Sequence, residues 1–526
     1  MPYQPAPSAV GPSPFPSRRD FLHISASVGF LGGLGSIGAL GRALAQDANV
    51  GPDLVRLSAD IEPIVRVIEG TPREKIIEAA AGLLRSGVGY RQFMAALYLA
   101  GIRNVDSRSA GSRFHCVYVI NSAHLLALES PAQERFLPFF WALDDFKGAQ
   151  ASRPRHMAPL DARTPSGADA IVALRAAVHT WDRDSAELAL AGMARTCGAA
   201  EAFEELWRLG SRDFRPIGHK AIFVANTWRT LQTIGWQHAE PAFRALGQAL
   251  AGNGTQFENG LRFDDQCHRE NDELVRSHAN ALPPNWADNS IAGAEVSADR
   301  ETAEALLAPI RAANASGACR DALTLLSESK ARAGAIWDIV HLAAAEFMLR
   351  RRGFGAVHAV TSVNALHFAF RMARSTETRL FLLLQAVGWM AHFAREIRLA
   401  DDPGAGPSIL ELSAPNARIP DDPTATAESI VSATATAPND AARAAFAYAR
   451  RHPNHPALFS AARRLVFTRA TDTHDYKYPA AAFEDIPSVS PAWRPHMLAA
   501  SMLHIPAPNA PESQLILRAK EAVAGI

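Results

Sequence analysis

The chain is poor in cysteine. Only Cys116, Cys197, Cys267 and Cys319 occur in 526 residues, far apart and never as Cys-x-x-Cys, so neither a structural zinc site nor a c-type haem attachment is spelled out. Isolated thiols in a long chain are more often small core residues than a staple framework, and their pairing stays open. Catalytic signatures are scarce too. There is no Gly-x-Ser-x-Gly elbow, no His-Glu-x-x-His and no phosphate loop, and no glycine-rich dinucleotide fingerprint follows a strand-like segment; these absences argue against the serine hydrolase, zincin, P-loop and nicotinamide or flavin classes. Neither sign of charge dominates. With 53 basic against 53 acidic side chains, nothing draws the chain to nucleic acid or another polyanion.

A long apolar run is lacking as well. The one candidate, Ile24 to Leu40, is broken by Gly29, Gly32, Gly33, Gly35 and Gly38 and is too short and too weakly apolar to span a bilayer comfortably. Its flanks explain it better. Ser17-Arg18-Arg19-Asp20-Phe21-Leu22 precedes it and the small-residue site Ala43-Leu44-Ala45 follows, the grammar of a twin-arginine export signal over residues 1–45. The expected destination is the periplasm or the medium, through the twin-arginine export machinery, with no stable membrane span after cleavage. Substrates of that route cross already folded, usually because a metal or cofactor is loaded first. About 480 residues remain, enough for one large domain or two ordinary ones.

What the chain does have is helical periodicity. Apolar residues recur at three and four, as in Ile76, Ile77, Ala80, Leu83 and Leu84 and then Phe93, Leu97 and Ala100, and breaks such as Arg85-Ser86-Gly87-Val88-Gly89 separate segments of helical length. Strand-like alternation is nearly absent. The expected fold is all-α: packed antiparallel helix pairs in one large domain over 46–526, with a solenoid-like array open as a variant. Irregular stretches fall at 147–167, 280–289 and 401–438. The last, rich in Pro, Ala, Thr and Asp, reads as a long loop or lid.

Histidines stand inside these apolar helices. His115 shares a face with Val119 and Ser122, while His124 points the opposite way. His219 opens a second helix and has Asn226 two turns along on its own face. His238 sits at the end of that segment, before Pro241. His358 has Thr361 and Ser362 one turn on, and His474 and Lys477 are three residues apart, with Tyr476 between them. A single histidine on an apolar face is usually a hydrogen-bonded core residue. Several entering one core from separate helices leave many ring nitrogens in need of partners, and a shared metal satisfies them together. His341 and His392, with Asp338 and Glu396 at three- or four-residue spacing, fit surface pairing equally well.

At His115, His219, His358-Ala359-Val360-Thr361 and His474-Asp475-Tyr476-Lys477 the chain resembles the questin oxidase family. The resemblance implies an all-α, non-haem iron enzyme that uses dioxygen to oxidise and open a ring of a polycyclic aromatic ketone, with histidines and a modified lysine as ligands. The central segment offers His219 alone where a second histidine is expected, and His238 is the candidate to compensate. Four neutral imidazoles bring iron no charge, so an anionic oxygen donor helps, and a desolvated Lys477 that adds carbon dioxide to become a carbamate supplies one. Asn226, Thr361, Ser362 and Tyr476 are the candidates to shape the pocket for an aromatic or other hydrophobic small molecule. Two rival readings remain: a haem-binding or electron-transfer protein with two axial histidines, and a non-enzymatic binding scaffold of the cell envelope.

Overall fold

Helices form where the three-and-four spacing placed them. The computed structural model describes residues 55, 57–107, 112–152, 156–160, 163–252, 262–287, 299–401, 408–413, 419–453 and 456–524. Among them there are helices and no strand, and one hydrophobic core runs from Ile61 to Ala519. Residues 1–45, expected to be an export signal, lie outside the described ones. No helix among the described residues is long and apolar enough to cross a membrane.

The centre is built from helices that are apolar on every side. In Ala333–Arg350 every residue but Arg350 is buried, and Thr376–Glu396 is nearly as enclosed. An all-round apolar helix must be wrapped by others, whereas a solenoid leaves each helix an outer face, so this is a layered core rather than an array. Beside it, and joined to it through Phe354–Met372, helices His115–Leu128, His219–Ile234, Phe354–Met372 and His474–Asp485 close a ring in which each packs on the next. Segments from one end of the chain to the other thus share one site, as a single domain requires.

The stretch 401–438 differs from the expected loop. It carries a short 3₁₀ turn, Ile409–Glu411, and a full helix, Pro423–Ala433. The reason is local. The Asp422 carboxylate accepts the Thr424 and Ala425 N–H groups, and Pro423 takes the first helical position, where its missing N–H costs nothing. Thr426, Ala427, Ile430 and Val431 are then buried. Composition pointed to a loop, and the Asp-Pro start signal inside it outweighed composition. At 147–167 the preceding helix, Leu137–Ser152, also runs further than expected, with Lys147 donating to the Ile68 and Glu69 carbonyls at the end of helix Glu62–Gly70.

Candidate metal centre

Three of the candidate histidines open their helices. His115, His219 and His474 are the first residues of theirs, and His358 lies in the second turn of Phe354–Met372. Four helix starts therefore converge on one place, each carrying an imidazole. The entry to His219 is conformationally demanding: Ile217 has φ 48° and Gly218 φ 84°. A Cβ at position 218 would stand 2.1 Å from Ser362 Oγ, so only glycine lets this turn press against the His358 helix. The same turn aims the Pro216 carbonyl at the His219 ring, with Nδ1 and O 2.6 Å apart.

The ring nitrogens can be assigned from their partners. A carbonyl only accepts, so His219 Nδ1 carries its proton toward Pro216 O, and His358 Nδ1 carries one toward Phe354 O at 2.8 Å. His474 Nδ1 donates to Asp472, whose pKa is held down at about 2 by that hydrogen bond, against the opposing effect of its partial burial. Burial and the neighbouring Lys477 charge hold the His219 ring at about 3 and His115 well below its ordinary value. Burial and His219 do the same for His358. These three rings are neutral at pH 7, and with Nδ1 protonated the Nε2 atoms of His219 and His358 carry bare lone pairs.

Those lone pairs point at one another. His219 Nε2 lies 2.7 Å from His115 Nε2 and 3.2 Å from His358 Nε2, and one ligating nitrogen from each of His115, His358 and His474 falls within 4.8 Å of the other two. His474 Nε2 is buried with no hydrogen-bond partner among the described residues. One proton on His115 can bridge to His219, but none exists for the contact between His219 and His358. A shared cation resolves the conflict. Two nitrogens bonded to one ion at about 2.0–2.1 Å stand about 2.9 Å apart at right angles and about 3.4 Å apart at the tetrahedral angle; the His219–His358 separation falls in that range and the His115–His219 separation just below it. The backbone carbonyls and the carboxylate on the Nδ1 atoms are the outer partners that orient metal-bound imidazoles.

Lys477 completes the cluster. It is 3% exposed, its Nζ has no hydrogen-bond partner among the described residues, and it stands 5.6 Å from the centre of the Tyr118 ring. Burial drives its pKa down to about 7, with Asp472 pulling the other way. An amine at that value is substantially neutral at physiological pH and able to take up carbon dioxide.

Lys477 also lines a small cavity of about 20 Å³, with Asn226, Thr361 and Asn364 around it, room for about one water molecule. Asn121 and Arg229 form part of this cavity and of a much larger one, about 1120 Å³, walled by Tyr90, His124, Leu125, Phe136 and Phe368. A polar partition separates the two. Asn226 Oδ1 accepts from Asn121 and Arg229, Arg229 also reaches Asn364 Oδ1 at 3.1 Å and Glu484 at 2.8 Å, and its guanidinium lies 4.0 Å over the Phe368 ring. Asn226 and Thr361 thus sit where the residue pattern suggested, Thr361 with its hydroxyl turned back to the Val357 carbonyl. Ser362 Oγ is buried beside Gly218 without a hydrogen-bond partner among the described residues.

Two candidates are placed elsewhere. His238 follows the far end of the helix that His219 opens, and 16 residues of helix put it roughly 24 Å away; it meets the neighbouring Gln237 side chain instead. Tyr476 is turned about 200° around its helix from His474 and packs on Trp141 with ring centres 4.7 Å apart, in the core rather than at the cluster. His341 and His392 are not surface residues: both are buried, His341 against His367 and His392 against Phe214. Residue patterns overlooked Asn121, Arg229, Asn364 and Asp472. Asp472 had a readable signal, an acidic residue two before a helix-opening histidine, where its carboxylate also accepts the His474 N–H at 2.8 Å. Compared with known proteins, the chain matches no family model, no curated protein and no solved structure.

Proposed function

We propose that this chain is an exported, dioxygen-dependent oxidoreductase whose iron is held outside any haem by His115, His219, His358, His474 and Lys477, and whose substrate is an aromatic or other hydrophobic small molecule. One observation carries the reading: the Nε2 atoms of His115, His219 and His358 are packed at 2.7 and 3.2 Å with too few protons to separate them. The donor set suits the metal. Imidazoles are good iron ligands, and the buried His474 Nε2 and Lys477 Nζ find no hydrogen-bond partner among the described residues. When bound, iron supplies the binding and activation of dioxygen.

The rest is done by the chain's own groups. Lys477 Nζ, neutral in its apolar setting, forms an N–C bond to carbon dioxide and releases a proton, and the resulting carboxylate brings the one negative charge that four neutral imidazoles lack. Starts of helices carry partial positive charge, so an anion there is stabilised twice. The large cavity takes the apolar body of the substrate between Tyr90, Phe136 and Phe368. Asn226 and Arg229, at the partition, orient its polar edge toward Lys477, and the tightness of the inner cavity limits water.

The test is Lys477→Arg, which keeps the charge and cannot form a carbamate. Protein purified from its native export route is expected to contain iron and show no Soret band. The Lys477→Arg variant is expected to lose most of that iron and its substrate-dependent dioxygen consumption, with helical circular dichroism unchanged. A Soret band in the parent protein would support the haem rival, and full iron in the variant would leave a site of histidines alone. Export is tested separately: Arg18-Arg19 changed to Lys-Lys should hold the precursor in the cytoplasm with its metal in place.

A further inference from the structure

A second set of ligating side chains lies further along two of the same helices. His367 follows His358 on helix Phe354–Met372, and Asp485 follows His474 on helix His474–Asp485, so the helical rise sets the two groups about 13–16 Å apart. The third member, His341, comes from the enclosed helix Ala333–Arg350, which packs on Phe354–Met372. All three are buried, His341 at 1%, His367 at 2% and Asp485 at 4% exposure. One ligating atom from each falls within 4.8 Å of the other two.

The hydrogen bonds inside this group do not close. His341 Nε2 and His367 Nδ1 are 2.8 Å apart, which uses one proton. His341 Nδ1 then stands 3.7 Å from Asp485 Oδ2, too far for a hydrogen bond. Asp485 Oδ1 accepts the Asn364 amide at 2.9 Å, but Oδ2 is buried with no hydrogen-bond partner among the described residues. Asp485 Oδ2 therefore faces the His341 ring without a hydrogen bond among the described residues, and a buried carboxylate oxygen left so is costly.

We propose that His341, His367 and Asp485 form a second metal site, for a divalent transition cation such as zinc. Each of the three residues offers one ligating atom within 4.8 Å of the other two, close enough to close on one ion with bonds of about 2.0–2.1 Å, and two imidazoles with one carboxylate are a standard donor set for such ions. The surroundings hold the ligands in place. Asn364 fixes the carboxylate, and the Trp337 ring stacks on His367 at 4.4 Å and 11°, the supporting contacts that metal ligands need. Burial pushes the Asp485 carboxyl well above its ordinary range, so the fold alone does not support its charge. A cation there ties the enclosed helix to the far ends of two helices that carry the first centre, acting as a brace. The proposal is independent of iron and dioxygen at the first centre.

Zinc alone is the probe. Metal-stripped full-length protein, the variant Asp485→Asn, the variant His367→Gln and the double variant His219→Ala/His474→Ala are each titrated with zinc and analysed for bound metal. Each second-site variant is expected to hold one ion fewer per chain than the parent, while the double variant keeps that ion and its melting temperature still rises on zinc addition. Circular dichroism selects the variants that fold, and either second-site variant suffices. Parent-level zinc in a folded second-site variant, or no zinc-dependent rise in melting temperature in the double variant, would overturn the proposal. Loss confined to the double variant would leave the first centre standing alone, and loss confined to the second-site variants would do the reverse.

Discussion

The two histidine groups share helices Phe354–Met372 and His474–Asp485 and solve opposite problems. At the first, three rings have Nδ1 taken by Pro216 O, Phe354 O and Asp472, so their remaining nitrogens face inward, and the buried group beside them is a base, Lys477. At the second, His341 has both nitrogens turned to other members of the group, and the ionisable partner is an acid, Asp485. Position along the helices matches this. The first group gathers at helix starts, where partial positive charge disfavours a protonated lysine; Asp485 ends its helix, where partial negative charge disfavours a carboxylate. Each group therefore carries the charge its helix ends resist, and burial adds to the same effect. The lesson is that an outer partner on Nδ1, more than the histidine itself, decides whether a ring turns its free nitrogen to a common centre or spends it on a neighbouring ring.

The strongest way to break the comparison is pH. In metal-free, carbonate-free protein, Lys477 has its folded pKa lowered from 10.5 to about 7. Between those values the unfolded chain binds a proton that the fold does not, so stability rises with pH across that window, and the cost of the lysine is complete below it. Lys477→Met should stabilise the metal-free protein at pH 7 by an amount on the order of a few kcal/mol, with the gain vanishing above pH 10.5. Asp485 has its folded pKa raised above 3.8, so the fold holds a proton that the unfolded chain releases, and stability falls as pH rises past 3.8. Asp485→Asn should bring no gain below pH 3.8 and a growing one above it. Denaturant titrations of both variants across pH check the signs, and gains running in the same direction would end the contrast.

A smaller effect sharpens the part played by the outer partners. Asp472→Asn removes the carboxylate that orients His474 without touching a ligand, and metal affinity at the first centre is expected to fall about 10- to 100-fold, measured by competition with a chelator; an unchanged affinity would deny the Nδ1 partners their role. The smallest change is expected at His238. Its place beyond the far end of the His219 helix means that His238→Ala should leave metal content intact and shift stability by no more than about 1 kcal/mol, read from bound metal and thermal melting together.

Much of this was legible in residue patterns. The three-and-four spacing marked the helices, and His115, His219, His358, His474 and Lys477 each stood out as a polar residue in apolar surroundings. Tyr476 was misplaced because neighbours on a helix point about 100° apart, so standing between His474 and Lys477 in sequence places it on another face. The Pro423–Ala433 helix was hidden by a loop-like composition that its Asp-Pro start overrode. His341 and His367 escaped as a pair because they lie on different helices, and spacing rules such as Asp338 to His341 see only one helix at a time.

By itself, then, the sequence determined which segments become helices and which of them carry a histidine near the start, because periodicity and capping act within a few residues along the chain. Only the tertiary structure decided that four such starts meet, that His238 stays away, and that Asp485 joins two histidines from other helices. Those outcomes depend on how the apolar faces of helices far apart in the chain pack on one another, and local spacing carries no record of that packing.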